Sequence, residues 1–249
     1  MSFGGVINFS DILKTSHEHH QIRNGCIVDT SILFAGSYDL DVFNTMTVEL
    51  FDFLAELEIP LYTNINIRAE FIDLHRRVLI PEGLASLFSF AGKTLDPLLY
   101  SKLQVIATKL NESKNSGQPY KFNEENIKEW RRRFRIYNST TDTWRKFCAD
   151  YLQGKIENIW DETCDLLNIN FLSLRESDKP KWLNTDLNWE EMASIVGQYG
   201  IGSFDAMIIN LFLNSHFSAI ITADKEIAYV IDSIRPAGKF VIVPDKLKI

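Results

Sequence analysis

The stretch Cys26-Ile27-Val28-Asp29-Thr30-Ser31 decides how the chain is read. Three apolar residues stop at an acid, as a buried parallel strand does where the chain turns out at the carboxyl edge of a sheet. Downstream, Val42, Met46, Leu50, Phe53, Leu54 and Leu57 recur at helical spacing between Asp41 and Glu58, and Pro60 ends that helix. Leu61-Tyr62-Thr63 reads as a second strand. Asn64 then offers its side chain as the cap of a helix that runs through Glu70 toward Leu79, with Pro81 as its stop. Upstream, residues 1–25 have no clear period and read as an N-terminal arm or a short helix.

The rest of the chain repeats the strand–helix alternation after a long helical stretch. Residues from about 82 to 168 look helical, broken at 111–118 (NESKNSGQ) by the best loop signal in the chain. A long amphipathic helix is expected over Thr143–Leu167, with Trp144, Phe147, Cys148, Tyr151, Leu152, Ile156, Ile159, Thr163 and Cys164 on one side. A strand follows over Ile169–Leu174, then the polar loop RESDKPK and a helix near Trp189–Gln198 closed by a turn at Gly200 and Gly202. A helix from Ser203 to about Ser215 buries Phe204, Met207, Ile208, Leu211 and Phe212. Ala219–Thr222 reads as a strand, Lys225–Ile231 as a short helix and Phe240–Val243 as the last strand. Such alternation predicts an α/β fold, an open parallel sheet flanked by helices.

Composition narrows the function classes. The 249 residues are 45% hydrophobic and 24% charged, ordinary values for a globular protein. No apolar run reaches the roughly 18 residues that would span a bilayer, and the first twenty residues lack the regions of a signal peptide. Cys26, Cys148 and Cys164 are odd in number and show no CxxC spacing. The expectation is a cytoplasmic protein without a membrane partner. Net charge is −7, yet His75–Trp160 holds fifteen basic against nine acidic side chains, and the remainder eleven against twenty-four. A basic segment sits within an acidic body.

Four acids draw the eye because of where they fall. Asp29 follows the first strand, Glu70 lies early in the helix entered from the second, and Asp205 is in the first turn of its helix after Ser203, its expected cap. Asp224 comes two residues after the strand ending at Thr222. All four belong at the carboxyl ends of strands, where open parallel sheets place their sites. Convergent carboxylates suit a hard divalent cation, which prefers oxygen ligands and would activate water at a phosphodiester. Singly, each acid also reads as an ordinary turn or cap residue.

Taken together, Ile-Val-Asp-Thr-Ser (27–31), Asn-Ile-Arg-Ala-Glu-Phe (66–71), Gly-Ser-Phe-Asp-Ala-Met-Ile (202–208) and Ile-Thr-Ala-Asp-Lys-Glu-Ile (221–227) resemble the successive acidic motifs of PIN-domain nucleases, VapC-type ribonuclease toxins among them. The resemblance covers residues 26–80 and 169–245. It implies a PIN-like domain over 26–249, enlarged by a helical insertion at about 81–168. It also implies a metal-dependent endoribonuclease using one or two Mg²⁺ or Mn²⁺ ions, with Asp29, Glu70, Asp205 and Asp224 as ligands and Glu226 as an auxiliary one. Thr30, Ser31, Ser203 and Thr222 are the supporting polar groups. The insertion is open to three readings: a substrate clamp, a homodimer interface, or a docking surface for a partner such as an antitoxin. Two alternatives stand beside this one, an inactive PIN-like assembly module and a nuclease for structured DNA or tRNA.

Trp130-Arg131-Arg132-Arg133-Phe134-Arg135 is the densest basic segment. Its arginines are candidate RNA contacts, with an aromatic stacked on a base or, more simply, both aromatics packed into a core. Arg76 and Arg77 are weaker candidates. His17, Glu18, His19 and His20 have metal-binding residue types but no further ligand, and read as an exposed polar arm.

Overall fold

A computed structural model describes residues 5–14, 21–91, 96–137, 143–173 and 175–247. The chain divides into two compact units: Met1–Asp39 with Phe43–Glu70 and Thr163–Ile249, and Leu40–Val42 with Phe71–Glu162.

The first unit is built on a parallel sheet. Strands β1 (Gly5–Asn8), β2 (Cys26–Val28), β3 (Leu61–Thr63), β4 (Ile169–Phe171), β5 (Ala219–Ile221) and β6 (Phe240–Val243) lie in the order β1-β6-β5-β2-β3-β4, and every pairing is parallel. Every residue of β2, β5 and β6 is buried, which is why these strands are unbroken runs of apolar residues. Edge strand β4 is half-exposed, with Phe171 showing on the surface. Helices α1 (Phe9–Lys14), α2 (Thr30–Ser37), α3 (Asn44–Glu56), α9 (Trp189–Tyr199), α10 (Ser203–Asn214) and α11 (Lys225–Ile234) flank the sheet. The expected α/β class with an open parallel sheet is what the molecule adopts. From β2 the chain moves toward β3, and from β5 toward β6, on the opposite side. The β2–β5 seam is therefore the point where the winding reverses and a crevice opens.

Residues 5–14 form a strand followed by a short helix, the helix being one of the two expected forms. Strand β1 pairs with β6 from Gly5↔Phe240 to Asn8↔Val243, and alternate residues of it are buried. Phe9 and Ile12 of α1 are buried too, and the backbone N–H of Ser10 donates to Asp245 Oδ1 (3.0 Å). Four residues are too few to display a period, so the strand is invisible until its partner is known. His17, Glu18, His19 and His20 lie outside the described residues.

Helix α4 (Ile65–Ala91) opens as expected, with Asn64 Oδ1 accepting from the N–H groups of Asn66 (2.9 Å) and Ile67 (3.0 Å). It does not stop at Pro81. A proline inside a helix forfeits one backbone bond and clashes with the preceding turn. Here Leu79, Ile80 and Leu84, on either side of it, are all buried in the core of the second unit, and that packing carries the helix through. The rest of the second unit is helical: α5 (Pro97–Ser116), α6 (Glu124–Tyr137), α7 (Thr143–Phe147), a π-helical turn at Cys148–Gln153 and α8 (Gly154–Leu166), whose last residues belong to the first unit. The loop expected at 111–118 is helical to Ser116. Its polar composition marks the exposed last turns of α5, and the stop is Gly117 in the left-handed conformation. The long helix expected over 143–167 forms, but with the π-helical turn inside it. In α3 the outer members of the predicted stripe, Val42 and Leu57, are exposed, since they lie just beyond the helix ends.

Gly25 controls how β2 enters the sheet. Its φ is +101°, and a Cβ there would collide with the Pro60 carbonyl oxygen and the Tyr62 ring. The next residue, Cys26, donates its N–H to that same Pro60 oxygen (3.0 Å) and begins the β2–β3 register. Gly25→Ala therefore forces β2 and β3 apart and should cost about 2–4 kcal/mol in urea unfolding. An unchanged midpoint would show that the register does not depend on this contact.

Candidate functional site

The β2–β5 seam brings the ends of the sequence together. The ladder continues past the strands, with the Asp29 N–H donating to Ile221 O (3.0 Å), so Asp29 and Thr222 face each other at the carboxyl edge. Asp29 is buried, and its Oδ2 accepts from the hydroxyls of Ser31 (2.7 Å) and Thr222 (2.8 Å). Those hydroxyls are themselves fed by backbone amides: Ala223 N–H donates to Ser31 Oγ (2.9 Å) and Asp224 N–H to Thr222 Oγ1 (2.9 Å). Two relays from amide through hydroxyl to carboxylate thus converge on one oxygen, each bond polarising the next. Ser31 and Thr222 are the supporting groups that the sequence marked. Thr30 supports differently, donating from Oγ1 to Glu70 Oε2 (2.8 Å) and so tying α4 to the end of β2.

Asp224 caps α11, its Oδ1 accepting from the N–H groups of Glu226 (2.7 Å) and Ile227 (3.2 Å). Asp29 is likewise the N-cap of α2. For these two acids the ordinary capping role is realised. Asp205 has no such role: the cap of α10 is Gly202, whose backbone supplies the turn, and no side chain caps the helix. Ser203, expected as that cap, is instead the first helical residue and is exposed. Phe204, expected in the core, is 53% exposed beside Asp205. In the first turn a residue one position before Asp205 points away from the buried face that Ala206 and Ile209 define, a rotation that the apolar count alone does not reveal.

The electrostatics tie the acids into one group. Burial is the main reason the Asp205 carboxyl is pushed up to about 7, and the negative charges of Asp224, Glu70, Asp29 and Glu226 add to it in that order. Asp29 is also raised, by burial first and by Asp224 after it, although the Ser31 and Thr222 hydroxyls pull the other way. The other four acids singled out in the sequence therefore act on one point, Asp205. Glu226 is exposed and contributes least. They do not form a closed cage: among the described residues no three His, Cys, Asp or Glu side chains stand close enough to hold an ion directly between them.

Arg131, Arg132, Arg133 and Arg135 are all on α6, in the second unit. Trp130 and Phe134 are buried there and belong to its core, so neither is presented to a base. Arg76 pairs with Asp73 (2.6 Å) and Glu124, and Arg77 with Asp73 (2.7 Å). No helix among the described residues is long and apolar enough to cross a membrane. Comparison of the chain with family models, curated proteins and solved structures gives no match.

A carboxyl whose folded-state pKa lies above its unfolded value holds its proton more tightly when folded. Ionising Asp205 therefore weakens the fold as pH rises from its usual 3.8 through about 7. In EDTA at pH 8, Asp205→Asn should stabilise the protein by about 1 kcal/mol, the half-exposed position and solvent screening keeping the gain small. At pH 5 the difference should shrink toward zero. A variant less stable than wild type at pH 8 would contradict the mutual repulsion.

Proposed function

We propose that the protein is a PIN-like, divalent-metal-dependent phosphodiesterase that cleaves RNA, with Asp29, Glu70, Asp205 and Asp224 holding the ion and the helical second unit as its insertion. One observation carries the reading: four acids from three other elements converge electrostatically on Asp205, which has no capping role of its own. Like charges gathered in a partly buried place cost stability, and a cation is what turns that cost into binding energy. The donor set is all oxygen, which fits Mg²⁺ or Mn²⁺. Because no three of the described acids stand as a ligand group, an ion here would have to keep several of its own waters between itself and the protein. A bound divalent ion would supply water activation and neutralise charge at phosphorus.

The chain's own residues do the positioning. Ser31 and Thr222 fix the orientation of Asp29 through one oxygen and oppose the rise that burial gives its pKa. Thr30 fixes the orientation of Glu70 by donating to its Oε2. The amino end of α10 favours the charged form of Asp205 through its dipole, opposing the repulsion. Phe204, exposed one residue away, offers an apolar face for an unpaired base at the cleaved linkage.

A second reading has its own support. Asp29 and Asp224 cap helices, and the described acids make no closed ion cage, so an inactive PIN-like assembly module is consistent with the same geometry. A generic single-stranded RNA titrated with Mn²⁺ separates the two. Wild type should cleave it, and Asp29→Asn and Asp205→Asn should each lower the rate at least about 100-fold while keeping the wild-type circular dichroism spectrum. Wild-type rates from both variants would sink the nuclease reading. A mixed pool of RNA, structured DNA and tRNA in the same assay identifies the substrate.

A further inference from the structure

Helix α6 carries its positive charge in one line. Lys128, Arg131, Arg132 and Arg135 stand at positions i, i+3, i+4 and i+7, so one exposed face of about 100° holds all four. The neighbouring face, with Ile127, Trp130 and Phe134, is buried in the core of the second unit. Arg133 falls on the far flank, half-buried and paired with Glu129. Glu129 and Arg133 are therefore a closed ion pair turned away from the line. Glu124, at the start of the helix, is taken by Arg76.

Among the described residues none of these four cations has an acidic partner within ion-pair distance. Elsewhere in the same unit Asp73, Glu124 and Glu129 are matched to Arg76, Arg77 and Arg133. The stripe is thus unmatched in a unit where Arg76, Arg77 and Arg133 are each paired. Like charges three and four residues apart destabilise a helix by about 0.2–0.5 kcal/mol per pair, so the arrangement is a standing cost that an external polyanion would remove.

We propose that this face of α6 is a docking track for the phosphate backbone of a nucleic acid. Lys128, Arg131, Arg132 and Arg135 are its contacts, and Arg133 is not one. Seven residues of helix advance about 10 Å, roughly three inter-phosphate steps and so about four phosphates along one strand. Guanidinium groups match phosphate oxygens in pairs. With Trp130 and Phe134 buried, this helix offers phosphate contacts without aromatic stacking, so the track grips the backbone and reads no sequence. The inference stands apart from the metal-dependent cleavage proposed above, because it concerns binding by the second unit's own surface.

The test is fluorescence anisotropy with the full chain and end-labelled U20 and A20 RNA, in EDTA so that cleavage plays no part. Both oligonucleotides should bind with affinities within about threefold of each other. The affinity should fall with salt at a slope near −3, as about four single-strand phosphate contacts require. Replacing Lys128, Arg131, Arg132 and Arg135 together by Ala should weaken binding at least about tenfold at 50 mM salt and flatten that slope by about 3. Arg133→Ala should leave both unchanged. Arg131→Gln with Arg132→Gln, which is gentler on the helix, should give about half the loss of slope, and it keeps the test open if the fourfold variant misfolds. Unaltered binding by both variants, no binding by wild type at 50 mM salt, or equal binding of an oligoglutamate of the same charge would overturn the proposal. Failure of RNA cleavage in Mn²⁺ leaves this result untouched, so the two readings fall separately.

Discussion

The pairing of β2 with β5 is the interaction on which the rest depends. Cys26, Ile27 and Val28 lie beside Ala219, Ile220 and Ile221, and the Asp29 amide extends the ladder by one more bond. All these strand residues are fully buried, so a slip of one position would drive apolar side chains off their packing faces and strand polar ones inside. That strict register is what sets Asp29 opposite Thr222 within 2.8 Å. With register fixed, α4 and α11, which leave β3 and β5, carry Glu70 and Asp224 to the same edge, and α10, which leads into β5, begins with Asp205 in its first turn.

What gathers there is an electrostatic conflict only partly resolved by the protein. Two hydroxyls and the amides behind them compensate Asp29 for its burial, and two amides hold Asp224. Asp205 receives the repulsion of all the others and has no side-chain cap bond to offset it. Natural proteins retain such unfavourable places where chemistry uses them, and a stable fold elsewhere carries the cost. The first unit has the means to do so in its buried central strands.

Much of this was legible in the chain itself, and for identifiable reasons. Cys26-Ile27-Val28 ends at a charged residue, and Ala219-Ile220-Ile221 ends at Thr222, so both the strands and their exits announce themselves. Asn64 is a capping residue placed where a cap is needed, and it caps. Failures came where distant contacts outvoted local preference. Pro81 and the polar run before Gly117 both signal a break, yet the helices continue because Ile80 and Leu84 in one case, and Ile106 and Leu110 in the other, are buried in a shared core. Strand β1 was missed because a four-residue edge strand is defined by its neighbour rather than by its own pattern. At the candidate site, residue identity was readable but division of labour was not. Nothing in the spelling of Gly-Ser-Phe-Asp says that Gly202 would be the cap, Ser203 a bystander and Phe204 exposed.

The position of β6 between β1 and β5 has a consequence for the order of assembly. During synthesis β1 emerges first and then waits, without a hydrogen-bonding neighbour, until residues some 235 positions later have left the ribosome. For the same reason Asp29 meets Thr222 only after 193 further residues have been made. The helical second unit lies wholly within that interval and has its own core, so it is free to fold while the sheet is still incomplete. The acidic edge is thus among the last features of this sheet to come into being. A nascent chain carries its acids scattered, and only the finished protein brings them together.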